Sequence, residues 1–118
     1  MRFGQAIVRG FSMSPALGDR DRLIVRYGDS YAPGDVIVFS HQGRNDIKRI
    51  DHINDSGVFV LGDNDVASLD SRKYGYINPK EILGKAIYRI RPTWGAIPKK
   101  GVFSKKRKRG RFFRIFGR

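Results

Sequence analysis

The sequence of 118 residues contains no cysteine. Without a thiol, the chain can form no disulfide scaffold, no cysteine nucleophile and no thiolate metal site. Histidine is scarce as well: His41 and His52 are the two in the chain, so we expect no zinc or other metal site and no cofactor. Long apolar runs are also missing, since the longest have four residues (36–39 and 58–61) and a membrane-spanning helix needs about 20. These absences predict a cytoplasmic domain or one peripheral to a membrane surface, with no transmembrane segment and no secretory signal.

Acidic residues are absent from the C-terminal segment, residues 99–118. Ten of the 24 basic residues lie there with none of the 11 acidic ones, so residues 1–98 keep 14 basic and 11 acidic residues. The formal net charge of +13 therefore describes the tail more than the body. We predict one folded domain in residues 1–98 and a basic, flexible tail in residues 99–118. Its interleaved aromatic and basic residues suit an anionic membrane surface, and they suit a solvated or nucleic-acid-binding tail equally well.

Short apolar clusters fill residues 1–98, and turn-forming residues separate them. Such clusters, rich in Ile and Val, are typical of strands, which we predict at residues 6–8, 23–25, 36–39, 47–53, 58–61 and 86–90. Residues 54–57 predict a hairpin loop. One helical turn is predicted from Asn78, with Pro79 at its first position, Glu81 three residues after the cap and Gly84 at its end. The pattern predicts an all-β, mostly antiparallel domain, folded over or barrel-like, with one short helical turn.

Three segments contain residues that could take part in catalysis. Ser12 lies in a loop bounded by glycine and proline, where a serine is most often only a turn residue. Lys48 lies in a predicted strand with apolar residues on both faces; its amine either reaches water or loses it, which favours the uncharged form. A neutral amine can take the proton of a serine hydroxyl and so produce a nucleophile. The third segment, residues 62–75, is a long polar loop, and loops of this length are often functional.

Four sequence pieces occur in the order found in a known enzyme family. They are Ser12-Met13 with Pro15 and residues 17–19; residues 33–36; Lys48-Arg49; and residues 62–64 with Ser68, residues 70–72 and Gly75. Together they resemble the type I signal peptidase (leader peptidase) family of serine proteases, over about residues 9–92. The resemblance implies a signal-peptidase-type β domain that hydrolyses peptide bonds without a cofactor.

The resemblance also implies roles for single residues. Ser12 would attack the scissile carbonyl and form an acyl-enzyme, and Lys48 would be its general base. Ser68 would hydrogen-bond Lys48 and orient it, while Asp70 and Arg72 would form a structural ion pair beside the site.

Three residues around the nucleophile would shape the substrate and oxyanion sites. Met13 and Pro15 would form part of the substrate channel and fix the turn that presents the nucleophile. Gly10 stands where many family members carry a serine or threonine whose hydroxyl helps to bind the oxyanion. We therefore expect the oxyanion to depend mainly on the backbone N–H of Ser12, and losing a built-in donor costs about 2.7–4 kcal/mol.

The chain shows no N-terminal anchor and only a compact segment between Ser12 and Lys48. This minimal form resembles the small nickel-type superoxide dismutase maturation proteases. The resemblance implies an endopeptidase that removes a leader, signal or propeptide from a precursor protein. The precursor would bind in extended form along a strand edge, with a small side chain before the cut.

Other functions compete with this one. A self-cleaving repressor-type Ser-Lys peptidase also uses a Ser-Met turn and a later lysine, but it does not account for residues 62–64 and 68–72. A non-enzymatic nucleic-acid-binding β-barrel would use exposed aromatic residues for stacking, with Tyr27, Tyr31, Tyr74 and Tyr76 as candidates. That interpretation leaves the serine and the lysine without a role, so we expect the catalytic domain to bind no nucleic acid.

A serine triad built on His52 is a further alternative. Its acid would be Asp51, but adjacent residues of a strand point to opposite faces, so we do not expect Asp51 to orient His52. Neither histidine should therefore be needed for cleavage.

Overall fold

The structure, a computed structural model, describes residues 2–99. Apart from Lys99, the predicted basic tail lies outside these residues. The strands are β1 (Phe3–Ile7), β2 (Arg22–Tyr27), β3 (Val36–His41), β4 (Arg44–Asn54), β5 (Gly57–Leu61), β6 (Ile82–Arg91) and β7 (Gly95–Ala96). The helical elements are α1 (Ser71–Tyr74) and two 3₁₀ turns, Asp65–Ala67 and Pro79–Glu81.

All strand pairs are antiparallel and belong to one sheet with the order β1-β2-β6-β3-β4-β5, and β7 pairs with β6. Within residues 2–99 the sheet does not close, and β1 and β5 lie at the two ends of the strand order. The predicted all-β, mostly antiparallel fold is confirmed. Each of the six predicted strands overlaps an observed strand, although Val8 lies beyond the end of β1, and β7 was not predicted.

The apolar core lies on both sides of β3, whose alternate residues point to opposite faces. Val36 and Val38 belong to one buried cluster, and Ile37 and Phe39 belong to another. Burial on both faces explains why this strand is a continuous apolar run and does not alternate with polar residues. The first cluster also contains Val8, Met13, Ala16, Leu17, Leu23, Val25, Ile47 and Ala86; the second also contains Ile50, Val58, Val60, Ile77 and Ile82.

Helical structure is more extensive than the single predicted turn. That turn forms with the expected capping box between Asn78 and Glu81, although it ends at Glu81 and Gly84 lies inside β6. The segment predicted as a loop also contains the 3₁₀ turn Asp65–Ala67 and the helix α1, which are capped by Asn64 and Asp70. Among residues 2–99, no helix has the length and apolar character needed to cross a membrane.

Candidate active site

The candidate nucleophile, Ser12, lies in the loop between β1 and β2. The next residue, Met13, is fully buried in the first core cluster and accepts a backbone hydrogen bond from Leu17 at 2.9 Å. A second turn forms where the Ser14 N–H donates to the Phe11 carbonyl at 3.1 Å. Met13 therefore anchors the loop in the core, which differs from the expected role in a substrate channel, and Ser12 stays half-buried at the surface.

The backbone before the nucleophile also has a defined geometry. Gly10 has a φ of 82°, in the left-handed region that favours glycine. Its N–H donates to Asp19 Oδ1 at 2.7 Å, which holds the entry to the loop. The N–H of Ser12 itself donates to no acceptor within residues 2–99. Within this part of the chain it is therefore free to donate to a developing oxyanion, and the oxyanion role expected for it stays a prediction.

Lys48 projects from β4 toward this loop. It is 3% exposed and pairs across the sheet with fully buried Ile37. Its amine lies 3.2 Å from Ser12 Oγ, 2.9 Å from Asp46 Oδ1 and 3.3 Å from the Ile47 carbonyl oxygen. The structure thus brings the serine and the lysine within hydrogen-bond distance across 36 residues of sequence. It also adds a carboxylate that sequence reasoning had assigned no role, although a position two residues before the lysine on a strand shares its face.

Ser68 does not make the expected contact with Lys48. Its hydroxyl donates to Asp70 Oδ2 at 2.7 Å, and among the described residues the lysine is bound by Asp46 instead. Arg72 donates two side-chain hydrogen bonds to the carboxylate of Asp70, from Nε at 3.0 Å and from Nη2 at 2.8 Å. The Asp70-Arg72 pair is therefore a bidentate ion pair beside the nucleophile, with Ser68 as a third member.

The Asp70 carboxylate is fully buried. Burial by itself would raise the pKa of the Asp70 carboxyl, but hydrogen bonds from the Arg72 side chain, the Gly62 N–H, the Ser68 hydroxyl and the Arg72 N–H outweigh it and hold that pKa well below its usual range. Asp70 therefore stays ionised and accepts from five donor groups, which belong to Gly62, Ser68 and Arg72.

Residues 62–64 connect this ion pair to the nucleophile. The Gly62 N–H donates to Asp70 Oδ2 at 2.8 Å. Asn64 binds the nucleophile loop twice, through its N–H to the Ser12 carbonyl at 2.8 Å and through its side-chain amide to the Phe11 carbonyl at 3.1 Å. Gly62 has no room for a side chain, because an added Cβ would lie 2.7 Å from the Ser12 carbonyl oxygen and against Ser68. The glycine and the asparagine therefore fix where Ser12 sits.

A buried ion pair with Arg49 holds Asp63, the residue between Gly62 and Asn64. Arg49 Nη2 and Nε lie 2.8 and 2.9 Å from the two carboxylate oxygens of Asp63, and Arg49 also donates to the carbonyls of Gly34 and Pro98. The arginine next to the lysine therefore joins β4 to three separate segments of chain. This role was not assigned from the sequence, although Lys48-Arg49 was part of the resemblance.

An open cleft of about 410 Å³ lies over the serine and the lysine. Tyr74, on α1, contributes a buried hydroxyl that has no hydrogen-bond partner within the described residues. Burial, together with the negative charges of Asp46 and Asp70, raises the pKa of Tyr74 above its usual range, so its phenol stays protonated. The cleft is lined by Arg9, Ser12, His41, Gln42, Arg44, Asn45, Asp46, Lys48, Leu69 and Tyr74.

The prediction that Asp51 cannot orient His52 is wrong. A bulge interrupts the pairing of β4 with β5 between Ile50 and His52, so the two side chains meet, with His52 Nδ1 2.7 Å from Asp51 Oδ2. The other ring nitrogen of His52 lies 2.9 Å from the Tyr76 hydroxyl, which leaves no ring nitrogen for Ser12. The histidine triad is therefore not assembled, and Lys48 is the basic group at the serine.

The arrangement suits nucleophilic hydrolysis. A hydroxyl and a buried amine in contact, a free N–H at the nucleophile and a cleft above them are the parts that acyl transfer needs. No cluster of three or more metal-ligating side chains occurs among residues 2–99.

Comparison with known proteins assigns the family. No curated protein in the comparison matches the sequence significantly. The profile of the family described as Peptidase S24-like matches residues 5–87, a span that holds Ser12, Lys48, Ser68 and the Asp70-Arg72 pair. That span covers well over half of the chain, and the observed antiparallel β fold agrees with it. The chain therefore belongs to the peptidase S24-like family of serine peptidases.

Proposed function

We propose that the protein is a serine endopeptidase that removes a leader, signal or propeptide from a precursor protein, with Ser12 as nucleophile and Lys48 as general base. One observation carries the proposal: Lys48 is only 3% exposed, and its amine lies 3.2 Å from Ser12 Oγ. A buried amine at this distance can accept the serine proton when it is uncharged.

The reaction follows from the positions of the groups. Lys48 takes the proton from Ser12 Oγ as the oxygen attacks the scissile carbonyl, and the Ser12 N–H stabilises the oxyanion. The lysine then gives its proton to the leaving amine, so that the peptide bond breaks and an acyl-enzyme remains. The same amine takes a proton from water, which attacks the ester, and it returns that proton to Ser12 Oγ as the acyl product leaves.

A strand edge beside the cleft supports binding of an extended substrate. Among the described residues β1 ends the strand order, and no other strand of that part of the chain occupies its outer side, where a peptide strand can pair. A second cleft of about 390 Å³ runs beside β1 and shares Arg9 and Asn45 with the cleft over Ser12. A peptide lying along β1 could thus place side chains in the second cleft and its scissile bond over the nucleophile.

The test is mass spectrometry of products from a peptide library. We expect wild-type protein to cleave after small residues, and we expect Ser12→Ala and Lys48→Met to cleave nothing. His52→Ala is the matched control and should retain activity, because His52 bonds to Asp51 and Tyr76 and not to Ser12. Full cleavage by Lys48→Met would refute the dyad.

A second experiment separates cleavage of a precursor from self-cleavage. A Ser12→Ala chain cannot cut itself, so it serves as a pure substrate for the wild-type enzyme. Removal of peptides from other proteins, with the Ser12→Ala chain left whole, supports the proposal. First-order cleavage of the wild-type chain alone, independent of its concentration, would support repressor-type self-cleavage instead.

A further inference from the structure

A carboxylate touches the candidate base. Asp46 lies two residues before Lys48 on β4, on the same face of the strand. Its Oδ1 accepts a hydrogen bond from the Lys48 amine at 2.9 Å and another from the Ile47 N–H at 2.8 Å. The backbone bond fixes this oxygen in place, so the contact with the lysine depends little on side-chain freedom.

The contact replaces the neutral partner that the resemblance implied. Ser68 donates to Asp70, so its hydroxyl does not hold the lysine. A hydroxyl can bind a charged or an uncharged amine, whereas a carboxylate favours the charged form by direct attraction. Asp46 is 38% exposed on its side chain and Lys48 only 4%, so water screens the pair from one side only.

We propose that Asp46 is a positioning residue that holds the Lys48 amine against Ser12 and keeps it protonated in the free enzyme. Base catalysis then begins only as rising pH removes the proton from the amine. This inference rests on the proposed function, because it concerns the protonation of Lys48, the general base of the proposed dyad.

Other charged and titratable groups face the Lys48-Asp46 pair. They are the same in the Asp46→Asn and Asp55→Asn variants compared below, so their electrostatic effect on Lys48 is common to both. Arg9 before Ser12, Arg44 on β4 and His41 on β3 line the same cleft. Tyr74 on α1 lines it too. Its ring lies against that of His41, with centroids 4.1 Å apart and the planes tilted by 31°, and Asp70 is near it. Asp46 is the one carboxylate within 4 Å of the lysine amine among the described residues.

The first test compares pH–rate profiles of peptide cleavage for wild type, Asp46→Asn and Asp55→Asn. Asp55 is an exposed residue in the turn between β4 and β5, so its variant removes the same charge without touching Lys48. An opposite charge in contact shifts a titration by about 1–3 pH units, and the exposure of Asp46 places the effect near the low end. We expect the alkaline rise of kcat/KM to begin about one pH unit lower in Asp46→Asn, and to be unchanged in Asp55→Asn.

The second test needs no catalysis. With isotope-labelled lysine, NMR follows the Lys48 side-chain signal, assigned by its loss in Lys48→Met, as the pH is raised. We expect its titration to move to lower pH in Asp46→Asn by the same amount as the kinetic profile. If Asp46→Asn does not fold, Asp46→Ser replaces it in both tests.

The outcomes separate the two proposals. An unchanged NMR titration in Asp46→Asn overturns the role of Asp46, whatever the enzyme does. A shifted titration with an unchanged pH–rate profile also overturns it, because the proton held by Asp46 would then not control catalysis. If no peptide is cleaved at any pH, the proposed function fails, and the NMR titration alone decides whether Asp46 holds the proton.

Discussion

Replacing Asp70 by asparagine should destabilise the fold and displace the nucleophile together. The fully buried carboxylate accepts from Gly62, from Ser68 and from three groups of Arg72. An asparagine has one acceptor oxygen in place of two. Whichever way its amide is turned, its NH₂ group faces at least two of these donors.

The magnitude follows from those donors. Leaving a buried donor without its acceptor costs about 1–3 kcal/mol, so two donors at the low end give a loss of about 2 kcal/mol in the free energy of unfolding. For a domain of this size, each kcal/mol lowers the melting temperature by about 4–8 °C. Asp70→Asn should therefore melt about 10 °C below wild type. Gly62 lies two residues before Asn64, whose N–H donates to the Ser12 carbonyl. Peptide cleavage should therefore fall as well.

Thermal unfolding followed by circular dichroism measures this loss, with Asp65→Asn as the control. Asp65 pairs with the same Arg72, at 3.3 Å, but it is 71% exposed. Exposed pairs of this kind contribute little, so the control should melt close to wild type. An Asp70→Asn protein that melts within 3 °C of wild type, within about 1 kcal/mol, would refute the argument that the buried carboxylate organises this side of the site.

Three further predictions concern the same elements. Asn64→Ala should fold but cleave peptides at least about tenfold more slowly, because it frees the Phe11 carbonyl that its side chain holds and a 1 Å misplacement can cost about 100-fold in rate; unchanged kinetics would contradict this. Gly62→Ala should lower both the melting temperature and activity, since its Cβ collides with Ser68 and the Ser12 carbonyl. Gly95→Ala in β7, where an added Cβ makes only ordinary contact and φ is not in the left-handed region, should keep wild-type activity. Because the pKa of Asp70 is lowered in the fold, its ionised carboxylate stabilises the folded state fully above about pH 5, and this contribution is lost as the pH falls below about 4. The denaturant midpoint should therefore drop less steeply on acidification in Asp70→Asn than in wild type.

Much of the fold could be predicted because the apolar clusters are short, rich in Ile and Val, and separated by turn residues. The capping pattern at Asn78 located one helical turn correctly. The caps at Asn64 and Asp70 were missed because both residues stand in a polar segment without apolar periodicity. The spacing of residues gives no sign that a side chain will cap a single turn while it also binds an arginine.

At the site, the serine and the lysine could be found from their local settings and from the order of the motifs. Their partners could not, because each contact depends on a detail of three-dimensional packing. The bulge after Ile50 turns Asp51 and His52 to the same side, and strand alternation alone predicts the opposite. Burial of Met13 depends on the path of a loop, and the choice of Asp46 over Ser68 as partner of Lys48 depends on where Asp70 lies.

The rate at which a serine-directed acylating reagent modifies Ser12, followed by intact mass and peptide mapping, tests most directly whether Lys48 activates the hydroxyl. We predict rapid labelling at Ser12 in wild type and in Lys73→Met, a control at an exposed lysine of α1, and loss of labelling in Lys48→Met. Equal labelling rates in wild type and Lys48→Met would contradict the account.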